Sequence, residues 1–340
     1  MKIQQAIEIL TDGGNLTQID ARRVMSSILS GKHTKAQIDA YLAALFLKGE
    51  TISEITGSAM AVRNSAAKIK ADGVVVDTSG SGSNNNFSTF NISTTAAFVV
   101  AGGGVKVAKS GNRATSHKTG SADLLEALGV NINAKADIVE RCIAEAGIGF
   151  LFSSLYHSTM HTIMERNKRQ NKNNIFNLLG PLTNPVNTPH QIIGVYDGIY
   201  TESVASVLGR LGAKHAMVVH GMDGLDEITT TAPTRVAELK EDGCVSTYII
   251  TPEQFGLPRS KPESIMGGDI STNASLTRAI LDGVKGPHRD IVALNAGAAF
   301  CVSGVADSIA MGLKIACEVL DSGKALEKLE LLVSTSNTDN

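Results

Sequence analysis

Two loops rich in glycine, serine and asparagine have the composition of phosphate-binding loops. The first loop, residues 80–88, follows an apolar run at 74–76 and leads into a helix-like segment that begins near Asn91. The second loop begins with Lys109 after an apolar run at 105–108, and a helix over 121–128 follows it. Glycine lets backbone amides approach a phosphate, and a helix N-terminus favours its negative charge. Because ligands of α/β sheets bind at the carboxyl ends of the strands, we expect both loops to hold one phosphorylated ligand.

A third loop carries acidic residues that suit a metal ion. Asp223, Asp226 and Glu227 follow the strand-like run 216–220. Adjacent carboxylates commonly hold Mg²⁺ together with waters and substrate phosphates. We therefore predict a magnesium site that includes the adjacent carboxylates of Asp226 and Glu227.

The elements that position these loops form an α/β fold with a small N-terminal helical domain. Residues 1–70 have only helical periodicity, and from residue 74 strand and helix signals alternate, which predicts a central, mainly parallel sheet flanked by helices. We expect helices from about 157–180 to join the helical domain. Residues 71–156 and 185–335 are expected to form the α/β domain, with a buried strand at 291–295 and a frayed tail at 336–340.

Composition excludes some classes of protein. The chain has 340 residues, 43% of them hydrophobic, and a formal net charge of −2, so no general charge attracts nucleic acid. No signal-like segment and no apolar run of about 18 residues is present, and the four cysteines lack a CxxC spacing. We expect a cytoplasmic protein with free thiols and no membrane span. The basic residues at 166, 168, 169 and 172 leave contact with nucleic acid open.

Four segments together resemble the anthranilate phosphoribosyltransferase family. They are KSGNRATSHKTGSADLLEALGV, FNLLGPLTNP, HGMDGLDEITTTAPT and LTRAILDGVKGPHRDIVALNAG. The resemblance extends over essentially the whole chain. It implies a homodimer with the nucleoside phosphorylase type of fold. It also implies transfer of a 5-phosphoribosyl group from phosphoribosyl pyrophosphate (PRPP) to an aromatic amine with Mg²⁺, as in tryptophan biosynthesis.

The resemblance also implies roles for particular residues. Asn112, His157, Arg166 and Pro181 would face the acceptor, and the metal would be held by Ser93, Asp226 and Glu227. No residue is assigned as a certain catalytic group, because the chemistry needs positioning and charge neutralisation rather than a nucleophilic side chain. The residues that would bind the donor are Gly80, Gly82, Asn91, Ser93, Thr94, Lys109 and Ser116.

The sequence departs from the family pattern at the same site. Where the family carries Gly-Thr-Gly-Gly-Asp-Gly, this chain has Gly-Ser-Gly followed by Ser83, Asn84 and Asn85, and Ser110 replaces a histidine. The arginine that would bind the anthranilate carboxylate falls at Asn167, one position after Arg166. An asparagine cannot replace the charge of a bidentate arginine. We therefore expect an aromatic or nitrogenous acceptor, and we do not expect anthranilate to bind in the mode that is usual for the family.

Three alternatives remain open at this stage. The chain is a non-catalytic nucleotide or nucleic-acid binding protein on the same fold, a phosphorylase-like enzyme that uses inorganic phosphate, or a genuine anthranilate phosphoribosyltransferase. The altered first loop and the basic run favour the first alternative. The retained Lys109, Asn91, Ser93, Asp226 and Glu227 favour an enzyme.

Overall fold

The structure of the protein, a computed structural model, describes residues 1–82, 89–114, 119–168 and 174–338, with backbone alone for 164–168. Within these residues no helix has both the length and the apolar character that a membrane crossing requires.

The chain begins with a bundle of four helices. Their starts are set by threonines: Thr17, Thr34 and Thr51 each accept a hydrogen bond from the backbone amide three residues later, which satisfies a free N–H of the first turn. A Cβ on Gly57 would overlap the carbonyl oxygen of Gln18, so the second and fourth helices pack backbone to backbone. The helices are α1 (Ile3–Thr11), α2 (Gln18–Leu29), α3 (Lys35–Lys48) and α4 (Ile52–Ser65).

A seven-stranded sheet follows, in the order β3-β2-β1-β4-β5-β6-β7. The first five strands of this order are parallel, and β6 and β7 continue the sheet in antiparallel fashion. The predicted fold class, a helical domain beside a mainly parallel sheet with flanking helices, is confirmed. The strands are β1 (Val75–Gly80), β2 (Lys106–Gly111), β3 (Ile148–Phe152), β4 (His190–Gly194), β5 (His215–Gly221), β6 (Thr234–Leu239) and β7 (Val245–Ile250).

The described residues contain eleven further helices. They are α5 (Ile92–Gly102), α6 (Ser121–Ala127), α7 (Ala136–Arg141, continued by a π turn at Cys142–Ala146), α8 (Ser153–Tyr156), α9 (Ser158–Lys168), α10 (Ile175–Leu182), α11 (Thr201–Arg210), α12 (Ile270–Leu281), α13 (Pro287–Val302), α14 (Ile309–Asp321) and α15 (Lys324–Ser336). Short 3₁₀ turns lie at Gly198–Tyr200, Pro252–Phe255 and Pro262–Ile265.

The sheet separates two apolar cores. Ile192 of β4 points into a core shared with α5, α13 and α15, whereas its neighbour Ile193 points into a core shared with the helical bundle and α11. Phe176 and Leu179 of α10 are buried in this second core, so α10 packs with the N-terminal bundle. The alternation of side chains along a strand therefore joins the bundle to one face of the sheet.

The strand predicted at 291–295 is wrong, because these residues lie in the middle of α13. Every residue from Ile291 to Val302 in this helix is buried. A helix that is buried on all sides has no polar face, and periodicity then cannot distinguish it from a buried strand.

The end of the chain packs onto the α/β unit. Ser336, the first residue of the predicted tail, is buried at the end of α15 and accepts a hydrogen bond of 3.1 Å from the amide of Asn131. The side-chain amide of Asn337 donates to the carbonyl of Gly129 at 2.9 Å. These contacts hold the beginning of this segment in place.

Candidate phosphate- and metal-binding site

The first and third loops are joined at the carboxyl edge of the sheet. The amide of Gly82 donates to Oδ2 of Asp226 at 2.9 Å, and the amide of Ser81 donates to the carbonyl of Gly194 at 2.9 Å. Gly82 has a φ of +79°, in the left-handed region that favours glycine. The predicted donor residues Gly80 and Gly82 and the predicted metal ligand Asp226 therefore meet in the folded chain.

Two paired glycines make room for Asp226. Gly80 at the end of β1 is paired with Gly194 at the end of β4. A Cβ on Gly80 would overlap the Asp226 carboxylate, and a Cβ on Gly194 would overlap the Asp226 carbonyl oxygen. Gly194 was not among the predicted site residues, because its role depends on its pairing with Gly80, a tertiary contact.

Glu227 lies against the N-terminus of α5. The amide of Ser93 donates to Oε1 of Glu227 at 3.2 Å, and the hydroxyl of Thr78 donates to the carbonyl of Ser93 at 3.2 Å. Burial and then repulsion by Asp226 raise the pKa of Glu227 to about 8, against the opposing effect of the Lys109 ammonium and the hydrogen bonds from Ser93. Helix α5 thus presents its positive end to a carboxyl group that is costly to ionise.

This acidic pair fits a hard divalent cation. Two neighbouring carboxyl groups, one of them with a raised pKa, would be relieved of their repulsion by a bound dication. Among the described residues, no group of three or more His, Cys, Asp or Glu side chains could hold a metal ion. Mg²⁺ needs no such group, since it commonly uses one or two carboxylates and takes its other oxygens from water and phosphates.

Asp223, the other acidic residue of the third loop, has a structural role. Its Oδ1 accepts from the amide of Leu225 at 3.1 Å. Its Oδ2 accepts from the hydroxyls of Thr229, at 2.7 Å, and Thr231. These bonds close the turn that carries Asp226 and Glu227, and they occupy both carboxylate oxygens of Asp223.

Lys109 is buried beneath the loops. Its side chain lies on β2 and the residue is 3% exposed. The ammonium donates to the carbonyl oxygens of Thr78 and, at 3.3 Å, of Ser110. Burial lowers the pKa of Lys109, and the carboxyl groups of Asp77, Glu227 and Asp226 oppose this shift. In this arrangement Lys109 places positive charge near the acidic pair. The hydrogen bonds that its ammonium group makes within the described residues go to backbone carbonyl oxygens.

Asp77 is the centre of a buried polar cluster that was not among the predicted site residues. It is fully buried, and its Oδ2 accepts from Asn184 Nδ2 at 2.8 Å and from Ser110 Oγ at 3.0 Å. Burial raises the pKa of Asp77, and Lys109 and these donors lower it. Ser110, which stands where the family carries histidine, is therefore a hydrogen-bond partner of Asp77. Only the position of Asp77 at the end of an apolar run pointed to it.

The second loop is tied to the start of α5. The side-chain amide of Asn91 donates to the carbonyl of Thr119 at 2.7 Å, and the hydroxyl of Thr94 donates to Ser121 at 2.9 Å. Oδ1 of Asn91 is buried and has no hydrogen-bond partner among the described residues. Asn91 and Thr94, both predicted to bind the donor, thus connect the two loops, and Asn91 keeps a free acceptor.

Asn112 contacts a histidine of α9. Its Oδ1 accepts from the amide of Arg113 at 2.9 Å, which fixes the orientation of the side-chain amide. Its Nδ2 therefore donates to Nδ1 of His161 at 2.9 Å. An imidazole that accepts at Nδ1 carries its proton at Nε2. His161, which was not among the predicted site residues, can donate this proton to a ligand.

His157 and Pro181 lie deeper. Nε2 of His157 donates to the carbonyl of Thr183 at 2.8 Å, while Nδ1 is buried without a partner among the described residues. Burial lowers the pKa of His157, so its ring is neutral near pH 7. Pro181 is buried inside α10, two residues before Thr183. The two predicted acceptor-side residues are therefore joined through the end of α10.

Some predicted features lie outside the described residues. They are Ser116, the side chains of Arg166 and Asn167, and the substituted residues Ser83, Asn84 and Asn85. The same holds for the side chains of the basic residues at 166, 168, 169 and 172.

Comparison with known proteins agrees with this architecture. Residues 4–66 match the helical bundle domain of a glycosyl transferase family, and residues 72–326 match the a/b domain of the same family. The chain is therefore a member of this two-domain glycosyl transferase family.

Whole-chain relatives narrow the assignment. A protein of Syntrophobacter fumaroxidans named anthranilate phosphoribosyltransferase is 48% identical over 98% of this chain and 99% of its own length. One of the same name from Moorella thermoacetica is 46% identical over 98% of each chain. The crystal structure of anthranilate phosphoribosyltransferase from Thermus thermophilus matches with a TM-score of 0.92 and 39% identity, over 98% of this chain and 99% of that one. The chain belongs to the anthranilate phosphoribosyltransferase family.

A more distant structure shares the fold. Anthranilate phosphoribosyltransferase from Saccharomyces cerevisiae, in complex with PRPP and Mg, matches with a TM-score of 0.85 at 24% identity, over 98% of this chain and 97% of that one.

Proposed function

We propose that this protein transfers a 5-phosphoribosyl group from PRPP to the amino group of anthranilate, with Mg²⁺. The observation that carries the proposal is the meeting of three loops at one edge of the sheet. Gly82 contacts Asp226 and Ser93 contacts Glu227, which joins the first and third loops. Asn91, at the start of the same helix, contacts Thr119 of the second loop. Whole-chain identity of 48% to a protein named for this activity supports the choice of acceptor. It favours the genuine anthranilate enzyme over the altered acceptor that Asn167 suggested.

The reaction asks the site to position two reactants and to stabilise negative charge. A bond forms between the amine nitrogen and the anomeric carbon, while the bond from that carbon to the pyrophosphate oxygen breaks. The pyrophosphate leaves with the electron pair, and the amine loses a proton. Bound Mg²⁺ would supply neutralisation of the leaving pyrophosphate, held by Asp226, Glu227 and the hydroxyl of Ser93.

The protein's own residues would do the rest. The N-terminus of α5, with Asn91, Ser93 and Thr94, favours the negative charge of the donor. Lys109 supplies positive charge from below, and Gly80 and Gly82 let the backbone come close. On the acceptor side, the Nε2 proton of His161, oriented through Asn112, is a donor for the anthranilate carboxylate. His157 and Pro181 form the wall behind it.

The test is an assay with purified protein, PRPP, Mg²⁺ and anthranilate, followed by the loss of anthranilate fluorescence and by release of pyrophosphate. Consumption of both substrates in equal amounts, abolished by omitting Mg²⁺, is the expected result. Binding of PRPP without turnover of anthranilate would mean another acceptor. Phosphate-dependent cleavage of a nucleoside would mean a phosphorylase. Absence of PRPP binding would leave a non-catalytic protein.

We also infer that the protein acts as a homodimer in the cytoplasm. The support is the resemblance and two exposed apolar side chains near the end of α3, Phe46 at 44% and Leu47 at 84% exposure. Light scattering of the wild type and of Leu47→Glu tests this: a dimer that the substitution weakens is expected, and a monomeric wild type would contradict it.

A further inference from the structure

The residues that leave the first loop and enter α5 rest on a distant part of the chain. Thr89 forms an isolated antiparallel bridge with Met266. A Cβ on the next residue, Gly267, would lie 2.7 Å from the backbone nitrogen of Phe90 and 2.8 Å from its Cα. The two backbones therefore touch, and only glycine permits this approach without displacement of Phe90.

Helix α12 holds this segment in place. The amide of Gly268 donates to Oδ1 of Asn273 at 2.8 Å, and Asn273 is 1% exposed. Asp269 caps α12 by accepting from the amide of Thr272 at 2.7 Å. The segment at 266–268 is thus fixed to a helix start rather than free to move with Thr89.

His288, at the start of α13, contacts both sides of this junction. Its Nε2 donates to the carbonyl of Met266 at 2.9 Å, since a carbonyl can only accept. Its ring also meets the ring of Phe90 edge to face, with centroids 5.1 Å apart and planes at 69°. Phe90 is 3% exposed, so the partly exposed ring of His288 packs on a buried ring.

We propose that residues 266–268 and His288 form a brace that positions the start of α5 for the donor and the metal. Ser93, whose amide contacts Glu227 at 3.2 Å, is only three residues after Phe90. A displacement of Phe90 is therefore passed to Ser93 and Asn91 through the first turn of the helix. His288 and Gly267 contact neither acidic residue, so they are positioning residues. The choice of PRPP as the donor rests on the proposed function, whereas the packing of residues 266–268 and His288 against Thr89 and Phe90 does not.

The experiment compares His288→Ala, His288→Gln and Gly267→Ala with the wild type, and uses His33→Ala as the control. His33 lies between the second and third helices of the bundle, and its ring forms a hydrogen bond of 2.7 Å with Ser27. Glutamine can still donate to the Met266 carbonyl. We measure hydrogen exchange of residues 89–93 in the absence of ligand and then KM for PRPP and for anthranilate.

Exchange at 89–93 and the KM for PRPP are each expected to rise about fivefold to tenfold in His288→Ala, the effect of losing one hydrogen bond and its ring contact. Gly267→Ala should show at least the same increase, and His288→Gln should recover most of the loss. The values of kcat and of KM for anthranilate should remain within about twofold of the wild type, since the brace touches no acceptor residue.

Unchanged exchange at 89–93 in both His288→Ala and Gly267→Ala would overturn the brace. A rise in both KM values, without recovery in His288→Gln, would also overturn it, because a general loss of structure explains that pattern. If the wild type does not bind PRPP, the proposed function fails, and the exchange measurement still decides on the brace.

Discussion

The Asp226 carboxylate accepts a hydrogen bond from the Gly82 amide at 2.9 Å, so the loop after β5 and the loop after β1 are held together before any ligand binds. This contact lies just before Ser83, where the sequence departs from the family pattern. The base of the donor site is therefore built from the part of the glycine loop that the chain retains.

The paired glycines beneath Asp226 should differ in their tolerance of a methyl group. In Gly194→Ala the new Cβ meets the carbonyl oxygen of Asp226, which cannot move without its backbone. We expect a loss of about 1–3 kcal/mol of stability and about 100-fold or more in kcat/KM. In Gly80→Ala the Cβ meets the end of the Asp226 side chain, so activity should fall with a smaller change in Tm.

Thermal denaturation and steady-state kinetics of the two variants check this difference. Gly31→Asn is the control, because Gly31 has a φ of +71° with open space around it and asparagine tolerates this conformation. Equal loss of Tm in Gly80→Ala and Gly194→Ala would contradict the proposed geometry.

Substitution of Lys109 should have two separable effects, one on the stability of the fold and one on the binding of PRPP. Lys109→Met leaves the buried carboxyl group of Asp77 without its counter-ion, and breaking a buried ion pair in this way typically costs about 3–5 kcal/mol. Adding Asp77→Asn removes the unpaired charge, and most of the lost Tm should return. If Lys109 also serves the donor phosphate, PRPP binding stays lost in the double variant. Calorimetric titration with PRPP and Mg²⁺ measures this, and wild-type affinity in the double variant would limit Lys109 to structure.

Periodicity and turn residues predicted much of the fold. The helical periodicity of residues 1–70, the strands that precede each loop and the helix starts near Asn91 and Ser121 are local features, and local features can be read from the sequence. The segment at 291–295 could not be read in this way. Its burial comes from the sheet on one side and α14 on the other, and both contacts are tertiary.

The site was predictable in its residue types and less so in its contacts. Asp226 and Glu227 follow a strand end, as Gly82 does. Because the carboxyl ends of parallel strands meet at one edge of the sheet, the proximity of these residues to Gly82 and Ser93 could be predicted despite their distance in sequence. The inward position of Lys109 was not predictable, because it depends on Thr78 of a neighbouring strand. Nor was the role of Asn184, which reaches Asp77 from a position 107 residues further along the chain.

Asn112 and His161 should act as one unit on the acceptor. The hydrogen bond between them, 2.9 Å long, fixes the proton of His161 at Nε2. His161→Ala and Asn112→Ala should each raise the KM for anthranilate about tenfold while the KM for PRPP changes little. The double variant should be no worse than either single one, because both remove the same interaction.

A double-mutant cycle on KM, with His33→Ala as the control for loss of a partly buried histidine, measures this coupling. Additive effects of the two substitutions would show that Asn112 and His161 act independently. An increase in the KM for PRPP equal to that for anthranilate would place the pair on the donor side.

The carboxyl group of Glu227 should make stability depend on pH. Burial and Asp226 raise its pKa from the ordinary value of 4.5 to about 8. Between these two values the folded chain keeps a proton that the unfolded chain has released. Stability therefore falls as pH rises through this window, and the loss is complete above the folded pKa. Between pH 5 and 8 the Tm of the wild type should fall by roughly 2–4 °C or more relative to that of Glu227→Gln.

Magnesium should reverse this trend, because a cation binds the ionised carboxylate in competition with the proton. The rise in Tm that Mg²⁺ produces should be larger at pH 8 than at pH 6 in the wild type. Glu227→Gln should show little rise at either pH, since its amide carries no charge. Differential scanning fluorimetry between pH 5 and 8 measures the Tm of each protein with added Mg²⁺ and with a chelator. It gives both the pH dependence of Tm and the increase in Tm that Mg²⁺ causes. Parallel pH profiles for the wild type and Glu227→Gln would show that Glu227 titrates as an ordinary carboxyl group and that the acidic pair lacks the coupling on which the metal site depends.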